Sequence, residues 1–442
     1  MTRSISPWLT RSWSRPRLGY HKALAGYRRG GVAVGKHTNL VVGLDIGTTK
    51  ISAVVGELTA EGGLEVIGVG HRPSKGLRKG LIVDIESTAE AMALAIEDAE
   101  VMAGVRVGGV YVGLGGGQVE ALTTEGSIEL ATKEVTAKDV QQVLETARLL
   151  ALPANTEILQ VVPIEFRLDG EVGIANPVGM VGSKLGIVAE VTTATTPVLE
   201  SVRKVTQAAR IDVLDIIPTQ IACARAVLSD DERQLGVAVI DIGGGTSDIA
   251  IYGGGTLRHL CSLPVGGNHI THDLAVGLRT PVAEAERLKK QHGCALLGLM
   301  KADDMVAVPV LGSKVMQSTP RKLIGEIIEY RVEEMFALAL QRIQQSGCYA
   351  GLAAGIVLTG GAAAMPGMGQ AAEAIFELPV RLGSPLNIGG LADLVQNPMY
   401  TTSVGLALLG RDHILAATST PTSRKGVGSL FQRLATWWQN FF

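Results

Sequence analysis

Val42-Gly43-Leu44-Asp45-Ile46-Gly47-Thr48-Thr49-Lys50 and Val239-Ile240-Asp241-Ile242-Gly243-Gly244-Gly245-Thr246 are two versions of one pattern. In each, an apolar strand ends on an aspartate and a glycine-bearing turn. A second run follows, Ile51–Val55 in one case and Ser247–Tyr252 in the other. Strand-turn-strand is a hairpin, not the strand-to-helix step of a dinucleotide fold. Glycine lets such a turn bring backbone N–H groups up to phosphate oxygens, and threonine hydroxyls add donors. The candidate phosphate ligands are Asp45, Gly47, Thr48, Thr49 and Lys50 in the first hairpin, and Asp241, Gly243, Gly244, Gly245 and Thr246 in the second. Asp45 and Asp241, at the strand ends, are placed to hold Mg²⁺, most simply through water. Lys50 supplies a mobile positive charge for the β- or γ-phosphate. A third glycine pair, Thr359-Gly360-Gly361, ends the apolar run Ile356-Val357-Leu358. One such turn is as often structural as functional. Two of them opening two halves of the chain, with a third after them, predict a nucleotide clamped between two lobes.

Working outward, 442 residues at 46% apolar composition support two or more domains. The 55 glycines and the 4% aromatic content fit an α/β protein with many tight turns. A net charge of -2 argues against nucleic acid as a partner. Cys223, Cys261, Cys294 and Cys348 form neither a zinc box nor a disulfide framework and are read as free thiols in a reducing compartment. No run approaches the ~20 apolar residues that span a bilayer, and no cleavable signal follows the start, so a cytoplasmic protein is expected.

The two ends of the chain differ in charge from its body. Residues 1–37 carry eight Lys or Arg and no acid, without strand or helix period, and read as a disordered basic leader. After Asp412 no acid occurs. A Ser/Thr/Pro-rich linker is expected over 411–426, followed by an amphipathic helix over 427–442. Its apolar residues Val427, Leu430, Phe431, Leu434, Trp437, Trp438 and Phe441 recur in steps of three and four, and Phe442 follows. This segment is too short and polar to span a bilayer. Its aromatic rings suit the headgroup boundary, and Arg424, Lys425 and Arg433 suit anionic lipid.

Between these ends, strands are expected at 40–44, 51–55, 64–69, 110–114, 158–162, 212–216, 237–240, 247–252 and 356–358. Helices are expected over 87–103 with a Ser87 cap, and over 137–150, 196–210, 281–291 and 320–346. Residues 116–192 form a compact α+β insertion between the two hairpin-bearing halves.

The hairpin stretches, together with Gly355–Gly367, resemble the phosphate and adenosine motifs of the actin/Hsp70/sugar-kinase superfamily. Within it, the chain is similar to the FtsA family of bacterial cell division proteins, on Gly76-Leu77-Arg78-Lys79-Gly80, Val110-Tyr111-Val112-Gly113, Asn176-Pro177 and Leu263-Pro264-Val265-Gly266-Gly267. The likeness covers residues 40–410 and resumes at the C-terminus. It implies an actin-like, two-lobed α/β ATPase fold with an inserted FtsA-type 1C subdomain and a C-terminal amphipathic helix. The implied plan is leader 1–38, subdomain 1A over 39–115, 193–224 and 391–410, 1C over 116–192, 2A over 225–256 and 336–390, and 2B over 257–335. Linker and membrane helix follow at 411–426 and 427–442.

The resemblance also implies ATP and Mg²⁺ as cofactors, with Glu286, Lys289, Gly360, Gly361 and Met365 around the adenosine. The alternative for Glu286 and Lys289 is an exposed helix face. Self-assembly into filaments through 1C and 2B is implied, as are binding of the FtsZ C-terminal peptide on 2B and contact with other divisome proteins. Anionic lipid on the cytoplasmic face of the inner membrane, at the division site, would be the fourth partner. Position 190 departs from expectation in being acidic, and no residue is assignable as a general base, so hydrolysis that is slow or absent remains open. A metabolic kinase, a pilus-assembly scaffold and an MreB-like filament protein share the fold and are the rival readings.

Overall fold

Each of the two hairpins is the seed of a sheet, and the two sheets have one plan. The computed structural model describes residues 39–117, 119–149, 155–301, 304–312 and 315–419, with side chains as far as Ala416. The basic leader and the 427–442 segment lie outside the described residues. In the first lobe, strand Leu40–Ile46 pairs antiparallel with Lys50–Leu58, which pairs with Leu64–Pro73. On its other flank it runs parallel to Val110–Leu114, and beyond that lies Val213–Pro218. In the second lobe, Val237–Ile242 pairs antiparallel with Ser247–Gly253 and then Thr256–Leu263. Its other flank is parallel to Gly355–Thr359 and then Val380–Leu382. The inner strands are covered on both faces, which is why they read as near-continuous Val/Ile/Ala runs and not as alternating ones.

The insertion folds on its own sheet. Its strands lie in the order Val119–Glu129, Lys184–Thr195, Thr156–Leu168, Glu171–Ile174. Helix Ala137–Arg148 covers one face, with a capping box in which Thr136 and Asp139 satisfy each other's backbone N–H. A separate core forms here from Val140, Val143, Leu144, Phe166, Leu185 and Ile187. Beyond the second sheet, helices Gly267–Gly277, Val282–His292 and Arg321–Gln345 and hairpin Met305–Pro309/Met316–Pro320 form a further layer, with Ile270, Ile324 and Phe336 in the second lobe's core.

The last described element, helix Thr401–Ser419, closes the first lobe. It lies against strand Leu40–Ile46 and helix Thr219–Val227. Its approach is so close that a Cβ at Gly43 would collide with the Ser403 carbonyl. Leu406, Leu408 and Leu409 are fully or almost fully buried.

The structure corrects several expected boundaries. The helix expected from Ser87 starts at Ile85, and the cap is Asp84, whose carboxylate accepts from the Ser87 N–H at 3.1 Å. The linker expected from 411 begins as helix through Ser419, because Arg411 and Asp412 are paired: Asp412 accepts from Arg225 at 2.8 Å and from Arg411 at 2.6 Å. Strand Thr256–Leu263 belongs to the second sheet, not to a 2B layer starting at 257, and helix Arg321–Gln345 runs through the boundary expected at 335. Among the described residues no helix is long and apolar enough to cross a membrane. All four cysteines are free thiols.

Candidate functional site

The two hairpin turns are closed by the same backbone hydrogen bond. In the first, the Gly47 N–H donates to the Lys50 carbonyl at 3.0 Å. In the second, the Gly243 N–H donates to the Thr246 carbonyl at 2.9 Å. Asp45 faces Ser52 across its ladder, and Asp241 faces Asp248 across the other. The turns also meet. A Cβ at Gly244 would overlap the Thr49 hydroxyl, and one at Gly245 would lie 2.8 Å from the Thr48 hydroxyl. Only glycine leaves room there for the opposite turn, so Gly244 and Gly245 are required by the approach of one lobe to the other.

Asp45 and Asp241 end their strands at the base of this junction. Lys50 holds its ammonium 3.4 Å from Asp45 Oδ2 and donates to the Ser52 hydroxyl at 2.9 Å, with the Tyr400 ring 5.5 Å away. Asp241 Oδ2 accepts from the Cys223 thiol at 2.8 Å and from the Thr402 hydroxyl at 3.1 Å. Its other oxygen, Oδ1, lies against Gly360, where φ is +91° and a Cβ would strike the carboxylate. Burial raises the Asp241 carboxyl above the ordinary range, and the charge of Asp45 raises it further while Lys50 pulls it down. Two carboxylates that repel each other beside a lysine fit a divalent cation brought in with a phosphate chain. Among the described residues no three His, Cys, Asp or Glu side chains converge on a metal by themselves, so phosphate oxygens or water would complete its shell.

Asp248 escaped the sequence reading. It is buried and accepts from the Ser262 hydroxyl, from the Thr219 hydroxyl at 3.0 Å and from the Gly116 N–H. Burial, reinforced by Asp241, pushes it up to about 6. The signal was its place in Gly245-Thr246-Ser247-Asp248, one ladder rung across from Asp241. Lys79 was also missed as a neighbour. Its backbone, at φ +50°, passes beside Gly245, and the next N–H, that of Gly80, donates to the Thr48 hydroxyl at 3.0 Å.

The adenosine candidates fall into two groups. Glu286 and Lys289, on one face of helix Val282–His292, form an ion pair at 2.7 Å, and Lys289 also donates to the Gly267 carbonyl at 3.0 Å and the Thr271 hydroxyl at 2.8 Å. Burial lowers the Lys289 pKa against the pull of Glu286. These contacts place the pair at the start of helix Gly267–Gly277, which itself rests on the second hairpin through Gly267 N–H to Gly243 C=O at 2.9 Å. Of the third glycine turn, it is Ala362 that reaches the start of this helix, 3.1 Å from where a Cβ on Gly267 would be, while Gly360 lies against Asp241 and Gly361 beside Met399. Met365 packs on the edge of the second core. The exposed-face alternative fits neither side chain of the pair: Lys289 is 10% and Glu286 28% exposed.

Residues 238–405 match the sequence model of the family described as cell division protein FtsA, and residues 116–193 match that of the SHS2 domain inserted in FtsA. The chain is 39% identical to the cell division protein FtsA of Pseudomonas aeruginosa over 91% of its own length and 98% of the relative's. It is 39% identical to that of Escherichia coli K12 over the same shares, and 38% identical to that of Bacillus subtilis over 84% and 83%. Among solved structures it resembles the PilM–PilN type IV pilus biogenesis complex with a TM-score of 0.60 at 14% identity, covering 84% of this chain and 98% of that one. MreB5 of Spiroplasma citri bound to ADP gives 0.53 at 15% identity, over 87% and 100%. At such identities the structural likenesses speak for the fold alone, and the fold they share is the actin-like one.

Proposed function

Since this chain belongs to the FtsA family of cell division proteins, we propose that it is an ATP-binding, filament-forming protein that tethers the FtsZ ring to the cytoplasmic face of the inner membrane. It would also help recruit later division proteins. The observation that carries the nucleotide part is the meeting of two aspartate-bearing hairpins, with Gly360 against Asp241.

With Mg²⁺-ATP bound, the metal would neutralise phosphate charge. Asp45 and Asp241 would hold it, Lys50 would reach the β- or γ-phosphate, and the N–H groups of Gly244–Thr246, in the turn that Gly243 closes, with the hydroxyls of Thr48 and Thr49 would fix the phosphate oxygens. Glu286 and Lys289 would border the ribose and base, with Gly360, Gly361 and Met365 opposite. Turnover would be slow or absent, because no residue at the site is assignable as a general base for water.

Membrane attachment would come from the amphipathic 427–442 segment, with several tails along a filament giving stable residence. The FtsZ C-terminal peptide would dock on the layer of helices beyond the second sheet, and 1C would meet that layer of the next subunit.

The test has two arms. Equilibrium binding of Mg²⁺-ATP is compared between wild type, Asp241→Ala and Gly244→Glu, and unchanged affinity in folded variants would remove the site assignment. Flotation with anionic vesicles is compared between the full chain, a chain ending at Ser419 and a Trp437→Glu/Phe441→Glu variant. Ending at Ser419 leaves the closing helix intact, which an end at Arg411 would cut. Equal flotation of all three would move the anchor to the basic leader.

A further inference from the structure

Three consecutive hydroxyls begin the closing helix, Thr401, Thr402 and Ser403, and all are buried. None belongs to a phosphate hairpin, yet Thr402 contacts a charged group of the site directly and Ser403 is linked to another through Ser52. Thr402 donates to Asp241 Oδ2 at 3.1 Å, on the second lobe, and lies 3.2 Å from the Cys223 thiol that donates to the same oxygen. Ser403 is reached by the Ser52 hydroxyl at 3.3 Å, on the first lobe, and Ser52 in turn accepts from Lys50. Tyr400, just before them, places its ring under the Lys50 ammonium and is fixed by His71 Nδ1 at 3.1 Å from its hydroxyl.

These contacts divide the work by charge. Oδ2 of Asp241 is taken by two donors from behind, which leaves Oδ1 as the oxygen beside Gly360. A carboxylate pinned by two hydrogen bonds on one oxygen loses rotational freedom before a metal arrives, so less is lost on binding. Lys50 is steered separately, by Asp45, Ser52 and the Tyr400 ring. The segment itself cannot drift, because the Ser403 carbonyl lies where a Cβ on Gly43 would be.

We propose that Thr402 and Tyr400 are positioning residues of the nucleotide site, Thr402 setting the metal-side carboxylate Asp241 and Tyr400 setting the phosphate-side cation Lys50. The proposal rests on the nucleotide-binding reading and deepens it, because it assigns each residue to a different part of Mg²⁺-ATP. A merely structural role would weaken binding of every form of the nucleotide alike.

The experiment measures affinity for ATP with Mg²⁺ and for ATP in EDTA, in full-length wild type, Thr402→Val, Thr402→Ser and Tyr400→Leu. Thr402→Val keeps the shape and removes the donor. Losing a hydrogen bond to a charged group predicts about tenfold weaker Mg²⁺-ATP binding, with affinity in EDTA unchanged. Thr402→Ser should restore the wild-type value. Tyr400→Leu should weaken ATP binding by a similar factor with and without Mg²⁺, since Lys50 meets the β- or γ-phosphate in both, but should leave binding of AMP, which lacks those phosphates, unchanged; an equal loss for AMP overturns the part assigned to Tyr400. The proposal is overturned if Thr402→Val binds Mg²⁺-ATP like wild type, if serine does not rescue, or if the loss is equal with and without Mg²⁺. Where Thr402→Val melts early, Cys223→Ala removes the other donor to the same oxygen and reads the same split. A wild type that binds no ATP at all overturns the nucleotide reading itself and this proposal with it, whereas the outcomes above leave that reading standing.

Discussion

Glu190 stands on strand Lys184–Thr195, an inner strand of the inserted sheet, and is 1% exposed. It faces the second lobe: the Leu260 N–H and the Thr123 hydroxyl contact it, while its Oε1 has no partner. Burial outweighs those two donors and pushes the carboxyl up to about 7, from an ordinary value of 4.5. The folded protein therefore keeps a proton that the unfolded chain gives up above pH 4.5. The stability linked to it is complete below that pH and is lost as pH rises through 7. Between pH 5 and pH 8 the loss comes to about 2–3 kcal/mol. Glutamine at 190 has the same shape and no proton to lose, so Glu190→Gln should equal wild type near pH 5 and exceed it by that amount at pH 8. Urea unfolding of both proteins at the two pH values measures it, because histidine titrations common to the pair cancel in the difference. A variant-minus-wild-type difference that does not grow with pH would refute the claim that burial governs this carboxyl.

Other expectations follow from named contacts. Gly360→Ala places a methyl on Asp241 Oδ1 at a left-handed φ of +91°; it should cost about 1–3 kcal/mol in thermal unfolding and abolish Mg²⁺-ATP binding, and normal binding would show that Asp241 tolerates displacement. Asp412→Ala leaves Arg225, on helix Thr219–Val227, without its partner on the closing helix, and should lower stability by about 2 kcal/mol in denaturant melts; a change within error would mark the pair as solvent-compensated. The Cys223 thiol, raised well above its usual range by burial and by Asp241, should resist a water-soluble disulfide reagent at pH 8 until the protein unfolds. Labelling of native protein at that position, read by peptide mass, would mean that the first lobe opens readily.

How much of this was legible in the sequence depends on what each signal needs. The hairpins were legible because strand, carboxylate and glycine turn are local, and the ladder rungs Asp45–Ser52 and Asp241–Asp248 lie within one turn of the chain. The insertion was legible too: the expected 116–192 compares with a matched domain at 116–193, since alternating strands around one helix need only local pattern. The closing helix was not. Residues 401–410 are buried without interruption, so no apolar stripe marks it, and periodicity cannot tell a wholly buried helix from a strand. Its continuation through Arg411 and Asp412 depends on Arg225, far off in sequence. Asp248 looked like an ordinary strand residue, because the donors that hold it, Thr219, Ser262 and Gly116, come from three other segments. Ser87 passed for a cap since the pattern Ser-x-x-Glu fits one, but the helix begins one turn earlier, where Asp84 caps it by accepting from the Ser87 N–H.

The closing helix has a consequence for how the protein is made. A ribosome that has released strand Leu40–Ile46 must still add every residue up to Thr401 before the helix that covers this strand exists. At about 5–20 residues per second, that interval is on the order of 20–70 s. The second lobe has no such debt to a distant segment, as its sheet runs from Val237 to Leu382 and its strands emerge in one stretch. During synthesis the first lobe is thus the later one to finish, with Gly43 and its neighbours open to solvent or to a chaperone. Mutations that loosen the closing helix should therefore show first as poor yield of nascent protein, before any defect in the purified molecule.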